Sequence, residues 1–153
     1  MTDLKTDHQL RVDQFMKLAG QDVPETPVLP SASVRLLRAR LILEEALETV
    51  SALGFDARPH GENLNESGVY FEPNGKEDLV EIVDGCCDVS VVTIGTLSAC
   101  GVSSVFVQKE VDENNLAKFG PGHRVDEFGK LIKPPGHKKP DLANILEYLK
   151  RLG

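Results

Sequence analysis

The sequence is poor in several residue types, and each shortage narrows the choice of protein class. It has no tryptophan, only 5% aromatic residues, and three cysteines that form no CxxC pair. An odd number of unpaired cysteines argues against a disulfide framework, so we expect buried free thiols in a reducing cytoplasm. No apolar run approaches the roughly 18 residues of a membrane span, and the polar start MTDLKTDHQL is unlike a signal peptide. The sequence therefore predicts a cytoplasmic protein without a membrane segment.

The chain also lacks the positive charge that nucleic-acid binding needs. Its formal net charge is −7, which argues against a basic footprint for a phosphate backbone. The cations are unevenly placed, since nine of the seventeen Lys and Arg residues lie at or beyond Lys109. The acidic residues cluster in the middle of the chain instead. This separation favours a site that holds cations centrally and binds an anion from the C-terminal side.

Length and periodicity predict one all-α domain over residues 1–153, a four-to-five-helix bundle with small β-hairpin decorations. The 41% apolar and 27% charged residues are ordinary for a soluble domain. Helical spacing of apolar residues is found at 6–19, 32–53, 77–100 and 103–118. A short last helix, DLANILEYLKRL, is expected to open with Pro140 at its first helical position.

Local signals mark the ends of these elements. Ser31 or Ser33 is expected to cap the second helix, and Gly54 to end it. A polar, Gly-rich stretch follows, in which residues 69–71 suggest one short strand, and a small hairpin is expected around Gly129. The β-branched run DVSVVTIG would pass for a strand by propensity, but its long apolar surroundings favour a buried helix.

Two of the predicted helices carry acidic faces with few cations nearby, and Arg40, four residues before Glu44, is the only cation close to the first face. In LEEALETV, residues 43–50, Glu44, Glu45 and Glu48 fall within roughly 100° of arc on an otherwise apolar helix. The next long helix has a stripe spaced by four, three and four residues: Glu77, Glu81, Asp84 and Asp88. No Lys or Arg lies within four residues of the last three members of this stripe. Solvated charge explains one such helix, but two in one bundle favour a shared function.

The chemistry of two meeting acidic faces indicates a hard divalent cation. A carboxylate buried without a partner is costly, so faces that meet need positive charge between them. Side-chain cations are scarce there, and carboxylate oxygens suit Mg²⁺ or Mn²⁺. Zinc fits less well, because the sequence has no HExxH and no Cys/His pairing. None of the four histidines has the Glu-x-x-His spacing of di-iron bundles.

The spacing of the acidic residues resembles the signature of a known superfamily. Glu44-Glu45-x-x-Glu48 followed by Glu81-x-x-Asp84 is similar to the EExxE…ExxD pattern of the MazG-like all-α nucleoside triphosphate pyrophosphatases, which include dimeric dUTPases and phosphoribosyl-ATP pyrophosphohydrolases. DQFMKLAG resembles their N-terminal helix, NNLAKF their Asn-x-x-Lys stretch, and FGKLIKPPGHKKPDL the GKxxKPxxxxxPDL tail of the phage-type and bacterial branch. One departure is the spacing of 32 residues between Glu48 and Glu81, which an inserted segment at 54–76 makes longer than usual.

The resemblance implies a housecleaning enzyme that hydrolyses a nucleoside triphosphate, with dUTP favoured, between the α and β phosphates. It implies two or more Mg²⁺ or Mn²⁺ ions per site, with the ligands at the family's ExxE and ExxD pairs: Glu45, Glu48, Glu81 and Asp84. Glu44 is the expected catalytic residue, which orients or deprotonates the water. The expected phosphate contacts are Asn115, Lys118, Arg124, Lys130 and Lys133. Asp88 is either a base or ribose contact or a plain solvated residue.

Two other functions are compatible with the same residues. One is a broader dNTP or modified-nucleotide pyrophosphatase, and the other is a non-catalytic helical regulator that binds nucleotide or metal. Assembly is predicted separately, because the third helix is apolar nearly all round and a bundle of 153 residues cannot easily cover it. We therefore expect a homodimer, or a dimer of dimers, with helices packed across a two-fold axis.

Overall fold

The computed structural model describes residues 4–61 and 68–153 and is mostly α-helical. These residues contain five helices: α1 (Asp7–Leu18), α2 (Ala32–Ala52), α3 (Leu79–Ala99), α4 (Ser104–Leu116) and α5 (Leu142–Leu152). An antiparallel hairpin of β1 (Phe55–Pro59) and β2 (Val69–Pro73) lies between α2 and α3 in the sequence. The predicted fold class, helices with a small β decoration, is confirmed.

The chain divides into two compact units. The α2/α3 unit is Leu29–Ala99 and includes the hairpin; the α1/α4/α5 unit combines Met1–Val28 with Cys100–Gly153. The expectation of one domain over residues 1–153 stays a prediction.

The α2/α3 unit is built on two 21-residue helices that pack against each other. Ser31 caps α2, since its Oγ accepts a hydrogen bond from the Val34 amide at 3.4 Å. Gly54, with a φ of 93°, follows the end of the helix, and both predictions are confirmed. The stretch DVSVVTIG is helical, as its long apolar surroundings predict.

The start of α3 differs from the prediction. The Asp78 carboxylate caps the helix, because its Oδ1 accepts hydrogen bonds from the amides of Val80 at 2.8 Å and Glu81 at 3.3 Å. These amides have no partner within the helix, and a side-chain acceptor satisfies them. Glu77 therefore lies before α3, and its assignment to the helical acidic stripe is wrong.

The hairpin is larger than the single strand predicted at residues 69–71. Its first strand, FDARP, was missed because it is short, mostly polar and ends in proline. Arg58 pairs with Glu72 on the opposite strand at 3.2 Å and with Asp56 at 3.1 Å. Asn74 ties the hairpin to α2, donating to the Ser51 carbonyl at 3.1 Å. The middle of the predicted polar stretch, residues 62–67, lies outside the described residues.

In the α1/α4/α5 unit, buried Gln9 joins α1 to the start of α4. Its Nε2 donates to the Val102 carbonyl at 2.9 Å, and its Oε1 accepts from the Ser104 amide at 2.8 Å. The hairpin expected around Gly129 is reduced to a turn closed by one β-bridge between residues 125 and 131. Pro140 lies two residues before α5, not at its first helical position, because Asp141 caps the helix.

Much of α3 is exposed in this single chain. Its buried residues lie in the second half of the helix: Val92, Gly95, Ser98 and Ala99. In the first half, the side chains of Leu79, Val80 and Val83 are 76%, 73% and 55% exposed. Cys86 and Cys87 are exposed free thiols, so the prediction of buried cysteines is wrong for these two.

By length and composition, α3 is also the one helix in the described ranges that could cross a membrane. A core helix of a soluble protein meets the same criterion. Asp84 and Asp88 lie within this helix, and ionised side chains are costly in the hydrocarbon of a bilayer. The exposed apolar residues of α3 are therefore better explained by contact with protein than by contact with lipid.

Candidate active site

The two predicted acidic faces lie on α2 and α3 beside a close helix contact. A Cβ atom added at Gly85 would lie 2.5 Å from Thr49 Oγ1 and 3.2 Å from Thr49 Cα. Only glycine therefore allows the two helix backbones to approach this closely. Thr49 follows Glu48 and lies one turn after Glu45, while Gly85 follows Asp84. The contact thus brings the acidic positions of the two helices together.

Electrostatic interaction between the helices is visible at Glu45. Burial raises the pKa of the Glu45 carboxyl above its usual value, and neighbouring carboxylates raise it further. In decreasing order of effect, these neighbours are Asp88, Glu48, Glu44 and Asp84. Two of them belong to α3, so α2 and α3 contribute to one negatively charged region.

No side-chain ion pair neutralises this region in the part of the chain that the structure describes. Within residues 4–61 and 68–153, no Lys or Arg forms an ion pair with any of the six predicted acidic site residues: Glu44, Glu45, Glu48, Glu81, Asp84 and Asp88. Ion pairs do form elsewhere, such as Lys109–Glu113 at 3.8 Å and Lys150–Glu147 at 2.8 Å. The described ion pairs therefore leave the carboxylates of the α2/α3 faces unpaired.

The donor set fits a hard divalent ion, although the side chains are not arranged around one. In the described part of the chain, no three Asp, Glu, His or Cys side chains lie close enough together to hold a metal ion as they stand. Four of the carboxylates are exposed to solvent, at Glu44, Glu48, Glu81 and Asp84. Carboxylate oxygens from two facing helices match the preference of Mg²⁺ and Mn²⁺.

The structure groups the acidic residues differently from the sequence assignment in one respect. Asp88, predicted as a substrate contact, has the largest effect of any carboxylate on Glu45. Glu81, predicted as a ligand, is not among the groups that act on Glu45. The ligand set of Glu45, Glu48, Glu81 and Asp84 stays a prediction, and Asp88 joins it as a further ligand to test.

Several of the predicted phosphate contacts surround a cavity in the α1/α4/α5 unit. This cavity has a volume of about 290 Å³, and its charged lining residues are Lys118, Arg124 and Lys133. Lys118 Nζ donates to Asn115 Oδ1 at 2.6 Å, which places the Asn-x-x-Lys pair beside the cavity. Lys130 does not line it; its backbone amide donates to the Asp126 carboxylate at 2.8 Å. We call this cavity the basic pocket.

The match to a family model agrees with the acidic pattern. The model of phosphoribosyl-ATP pyrophosphohydrolase matches residues 12–115. The chain belongs to the phosphoribosyl-ATP pyrophosphohydrolase family. This family is part of the MazG-like nucleoside triphosphate pyrophosphatase superfamily, which confirms the resemblance of the sequence, and its members are nucleotide pyrophosphohydrolases. A comparison with curated proteins gives no match.

The boundaries of the family match separate the acidic faces from the basic pocket. The matched range contains all the acidic residues of α2 and α3, and it ends at Asn115. Lys118, Arg124 and Lys133 of the basic pocket lie beyond it. The acidic part is therefore the part that this chain shares with the family model.

The sequence pattern alone did not assign two residues to these sites, His123 and Gly85. His123 lines the basic pocket and its Nδ1 lies 3.3 Å from the Gly120 carbonyl oxygen. Nothing in the GPGH sequence indicates this position. Gly85 was a visible signal, since an isolated glycine within a helical pattern often marks a close backbone approach.

Proposed function

We propose that this protein hydrolyses a nucleoside triphosphate between its α and β phosphates in a reaction that needs divalent metal. The observation that carries the proposal is the close approach of α2 and α3 at Thr49 and Gly85, beside which carboxylates of both helices raise the pKa of Glu45. Family membership supports pyrophosphohydrolase chemistry. The phosphates of a nucleotide are negatively charged and would be repelled by the carboxylates, so binding here needs a metal cation between them.

Glu45, Glu48, Glu81 and Asp84 are the residues that we propose hold the ions, with Asp88 as a fifth. Bound Mg²⁺ or Mn²⁺, in two or more ions, supplies charge neutralisation at the phosphates and a lower pKa for an attacking water. Glu45 and Asp88 are partly buried, so they are the more rigid members of the set. The exposed carboxylates provide the freedom needed to adjust to ions and substrate.

Glu44 is the proposed catalytic base. It is exposed on the same face of α2 as Glu48 and precedes the ExxE pair assigned to metal. In this role its carboxylate takes a proton from the water whose oxygen bonds to the α phosphorus. The bond from that phosphorus to the bridging oxygen breaks, and the products are a nucleoside monophosphate and pyrophosphate. General-base catalysis of this kind contributes about 10²–10⁴-fold to the rate.

The basic pocket is the proposed source of phosphate contacts. Lys118, Arg124 and Lys133 converge on a cavity that holds no acidic lining residue, so it attracts anions. Arg124 can bind a phosphate through two parallel hydrogen bonds, whereas the lysines act as point charges. Lys130 is the weakest candidate of the predicted contacts, because it does not line this pocket.

Two substrates are proposed for testing. The resemblance to dimeric dUTPases favours dUTP. The family match favours phosphoribosyl-ATP as a second candidate, since that is the compound named in the description of the matching model. A broader dNTP pyrophosphatase and a non-catalytic nucleotide-binding regulator remain the alternatives that the same assay separates.

The deciding experiment measures pyrophosphate release from a nucleotide panel with Mg²⁺ or Mn²⁺. The panel contains dUTP, the four common dNTPs, a modified dNTP and phosphoribosyl-ATP, each with and without EDTA. We expect metal-dependent release, largest for dUTP. Release from phosphoribosyl-ATP alone would transfer the assignment to the second candidate. Binding of nucleotide with no release under any condition would leave the regulator as the explanation.

We also propose a cytoplasmic homodimer, or a dimer of dimers. The argument is the exposed apolar surface of the α2/α3 unit: Leu36, Leu43, Leu47, Leu79, Val80 and Val83 are each 46–76% exposed. So many exposed large apolar side chains on two packed helices favour a subunit interface that covers them. Sedimentation at micromolar concentration tests this, and a monomer would contradict it.

A further inference from the structure

The basic pocket has one ionisable lining residue that the proposed function does not use. This residue is His123, and no aspartate or glutamate is among the lining residues. All lining residues fall in the ranges 117–124 and 132–135, which the structure describes throughout. A histidine is either neutral or positively charged, depending on pH, whereas the lysines and the arginine of the pocket stay positive. His123 is therefore the lining residue whose charge can change near neutral pH.

A tight turn places the His123 side chain at the pocket. The turn is GPGH, residues 120–123, and the His123 amide donates to the Gly120 carbonyl at 3.1 Å. Pro121 and Gly122 occupy its two central positions, and the φ of 79° at the glycine is what a type II turn requires there. The His123 ring is thus attached to a backbone segment whose conformation both proline and glycine favour.

Two contacts orient the ring itself. Nδ1 lies 3.3 Å from the Gly120 carbonyl oxygen, and a carbonyl oxygen only accepts, so Nδ1 carries the hydrogen in this contact. The Phe119 ring packs against His123 edge to face, with the ring centroids 5.4 Å apart and the planes at 66°. Nε2 points away from Gly120, and it has no hydrogen-bond partner within the described residues. His123 is exposed, so this nitrogen is open to a ligand.

The protonation of Nε2 decides how His123 acts on an anion. In the neutral ring with hydrogen on Nδ1, Nε2 presents a lone pair, which repels a phosphate oxygen. In the positively charged ring, Nε2–H is a donor, and a charged donor makes a hydrogen bond about twice as strong as a neutral one. We propose that protonated His123 is a further phosphate-binding residue of the basic pocket, where its Nε2–H donates to a phosphate oxygen beside the two lysines and the arginine.

The ligand of this site is a phosphate group with two negative charges. Three permanent cations and no lining carboxylate favour a multiply charged anion over a neutral or positive ligand. The inference rests on the proposed function for the source of that group, which is a phosphate of the nucleotide. Inorganic phosphate and pyrophosphate share the same chemistry, so kinetics are needed to separate them from the substrate.

The probe is sulfate, a tetrahedral dianion like phosphate that keeps both charges across the pH range tested. It is titrated against the full chain in metal-free buffer without nucleotide, at constant ionic strength. The amide signals of Gly120 and Gly122, which line the pocket, report binding in two-dimensional NMR. Between about pH 5.5 and about pH 8, an ordinary histidine loses its proton while lysine and arginine keep theirs. We expect at least about tenfold tighter binding at the lower pH, because a hydrogen bond from a charged donor is lost at the higher one.

Three variants test whether His123 causes this pH dependence. His123→Gln keeps a polar side chain but cannot gain a charge, so we expect weak sulfate binding at both pH values. His123→Arg is charged at both, so tight binding should be restored at the higher pH. His60→Gln, a change at another exposed histidine that does not line the pocket, is the matched control and should behave like the unmodified protein. Equal affinity at the two pH values in the unmodified chain, or the same pH dependence in His123→Gln, would overturn the proposal.

Steady-state kinetics separate a phosphate of the substrate from free phosphate. With the best nucleotide of the panel, His123→Gln should raise KM about tenfold near about pH 5.5 and leave it unchanged near about pH 8, with kcat little affected. The expected sulfate result with an unaltered KM would assign the site to inorganic phosphate or pyrophosphate. If no nucleotide is hydrolysed, the proposed function fails while the sulfate titration still decides the role of His123. The two failures are therefore distinguishable.

Discussion

Two groups of carboxylates, one in each unit, have opposite surroundings. In the α1/α4/α5 unit, Asp13 lies 2.5 Å from Lys5 and Glu147 lies 2.8 Å from Lys150. The hydrogen bond and the positive charge of Lys150 lower the pKa of Glu147. On α2 and α3, burial and four neighbouring carboxylates raise the pKa of Glu45. The same chemical group is thus paired with a lysine at Asp13 and Glu147 and surrounded by other carboxylates at Glu45.

This difference supports the proposed cation site on α2 and α3. A carboxylate paired with a lysine already has a cation beside it, and an exposed ion pair of this kind contributes little to stability. The unpaired set on α2 and α3 opposes close packing of the two helices, yet Gly85 and Thr49 hold the helices close there. An arrangement that keeps repelling groups together is understandable if a ligand compensates for the repulsion.

The largest expected effect comes from removing a proposed metal ligand. Asp84→Ala should lower Mn²⁺ affinity and kcat/KM together, by more than about 100-fold, because even residues that only support metal ligands cost 10–100-fold. Glu77→Ala is the matched control, since Glu77 lies just outside α3 and should change neither quantity. Calorimetric Mn²⁺ titration and steady-state kinetics give the answer. Loss of activity with normal Mn²⁺ affinity would remove Asp84 from the ligand set.

Chelation is the same test applied to the whole site. EDTA should abolish turnover and lower the melting temperature, because the carboxylates then repel without compensation. The paired carboxylates of the α1/α4/α5 unit provide no such response to metal. Melting and turnover that are both unchanged by EDTA would contradict the metal site and with it the comparison of the two units.

A smaller effect separates the proposed base from the ligands. Glu44→Gln keeps the shape of the side chain and one acceptor oxygen but loses basicity. We expect normal Mn²⁺ binding, a KM close to that of the unmodified protein, and a kcat lower by about 10²–10⁴-fold. Near-normal kcat would remove Glu44 from the reaction, whereas lost Mn²⁺ binding would make it a ligand.

The helix contact at Gly85 should matter through the spacing of the acidic faces. Gly85→Ala places a Cβ 2.5 Å from Thr49 Oγ1, so the helices must separate or the threonine must move. We expect Mn²⁺ affinity to fall by about tenfold in this variant, since displacing the ligand side chains resembles the loss of the contacts that support them. Thr49→Ala in the same chain removes the nearest atom and should restore part of the affinity. A double variant that binds Mn²⁺ no better than Gly85→Ala would show that spacing is not the cause.

The helices could be predicted from the sequence because their signals are local. Apolar spacing, the Ser31 cap and the glycine at 54 lie within the elements that they define. The first strand of the hairpin could not, since FDARP becomes a strand only through residues 69–73, from which it is separated in the sequence. Glu77 was misplaced for a similar reason: the choice between it and Asp78 depends on which side chain reaches the free amides.

The candidate site could be predicted only as two separate faces. Periodicity shows that Glu44, Glu45 and Glu48 share one side of a helix, but the interaction of Glu45 with Asp88 depends on how α2 and α3 pack. The exposure of Cys86 and Cys87 also follows from that packing, because a helix that is apolar nearly all round does not reveal its covered side. His123 reaches the basic pocket through a turn that its neighbours do not specify.

The smallest expected effect is on stability, whose dependence on pH should have opposite signs for Glu147 and Glu45. The Glu147 pKa is lowered below 4.5, so its pair with Lys150 stabilises the fold above that value and is lost as pH falls through the lowered pKa. The Glu45 pKa is raised above 4.5, so its ionised form destabilises the fold once pH rises through the raised pKa. In EDTA at neutral pH, Glu147→Gln should therefore slightly lower the melting temperature and Glu45→Gln should raise it. At a low pH, below the lowered pKa of Glu147, both differences should shrink toward zero, since both carboxylates are then protonated. Melting curves of the two variants at both pH values measure this, and a shift of the same sign in both would contradict the opposite treatment of the two carboxylates.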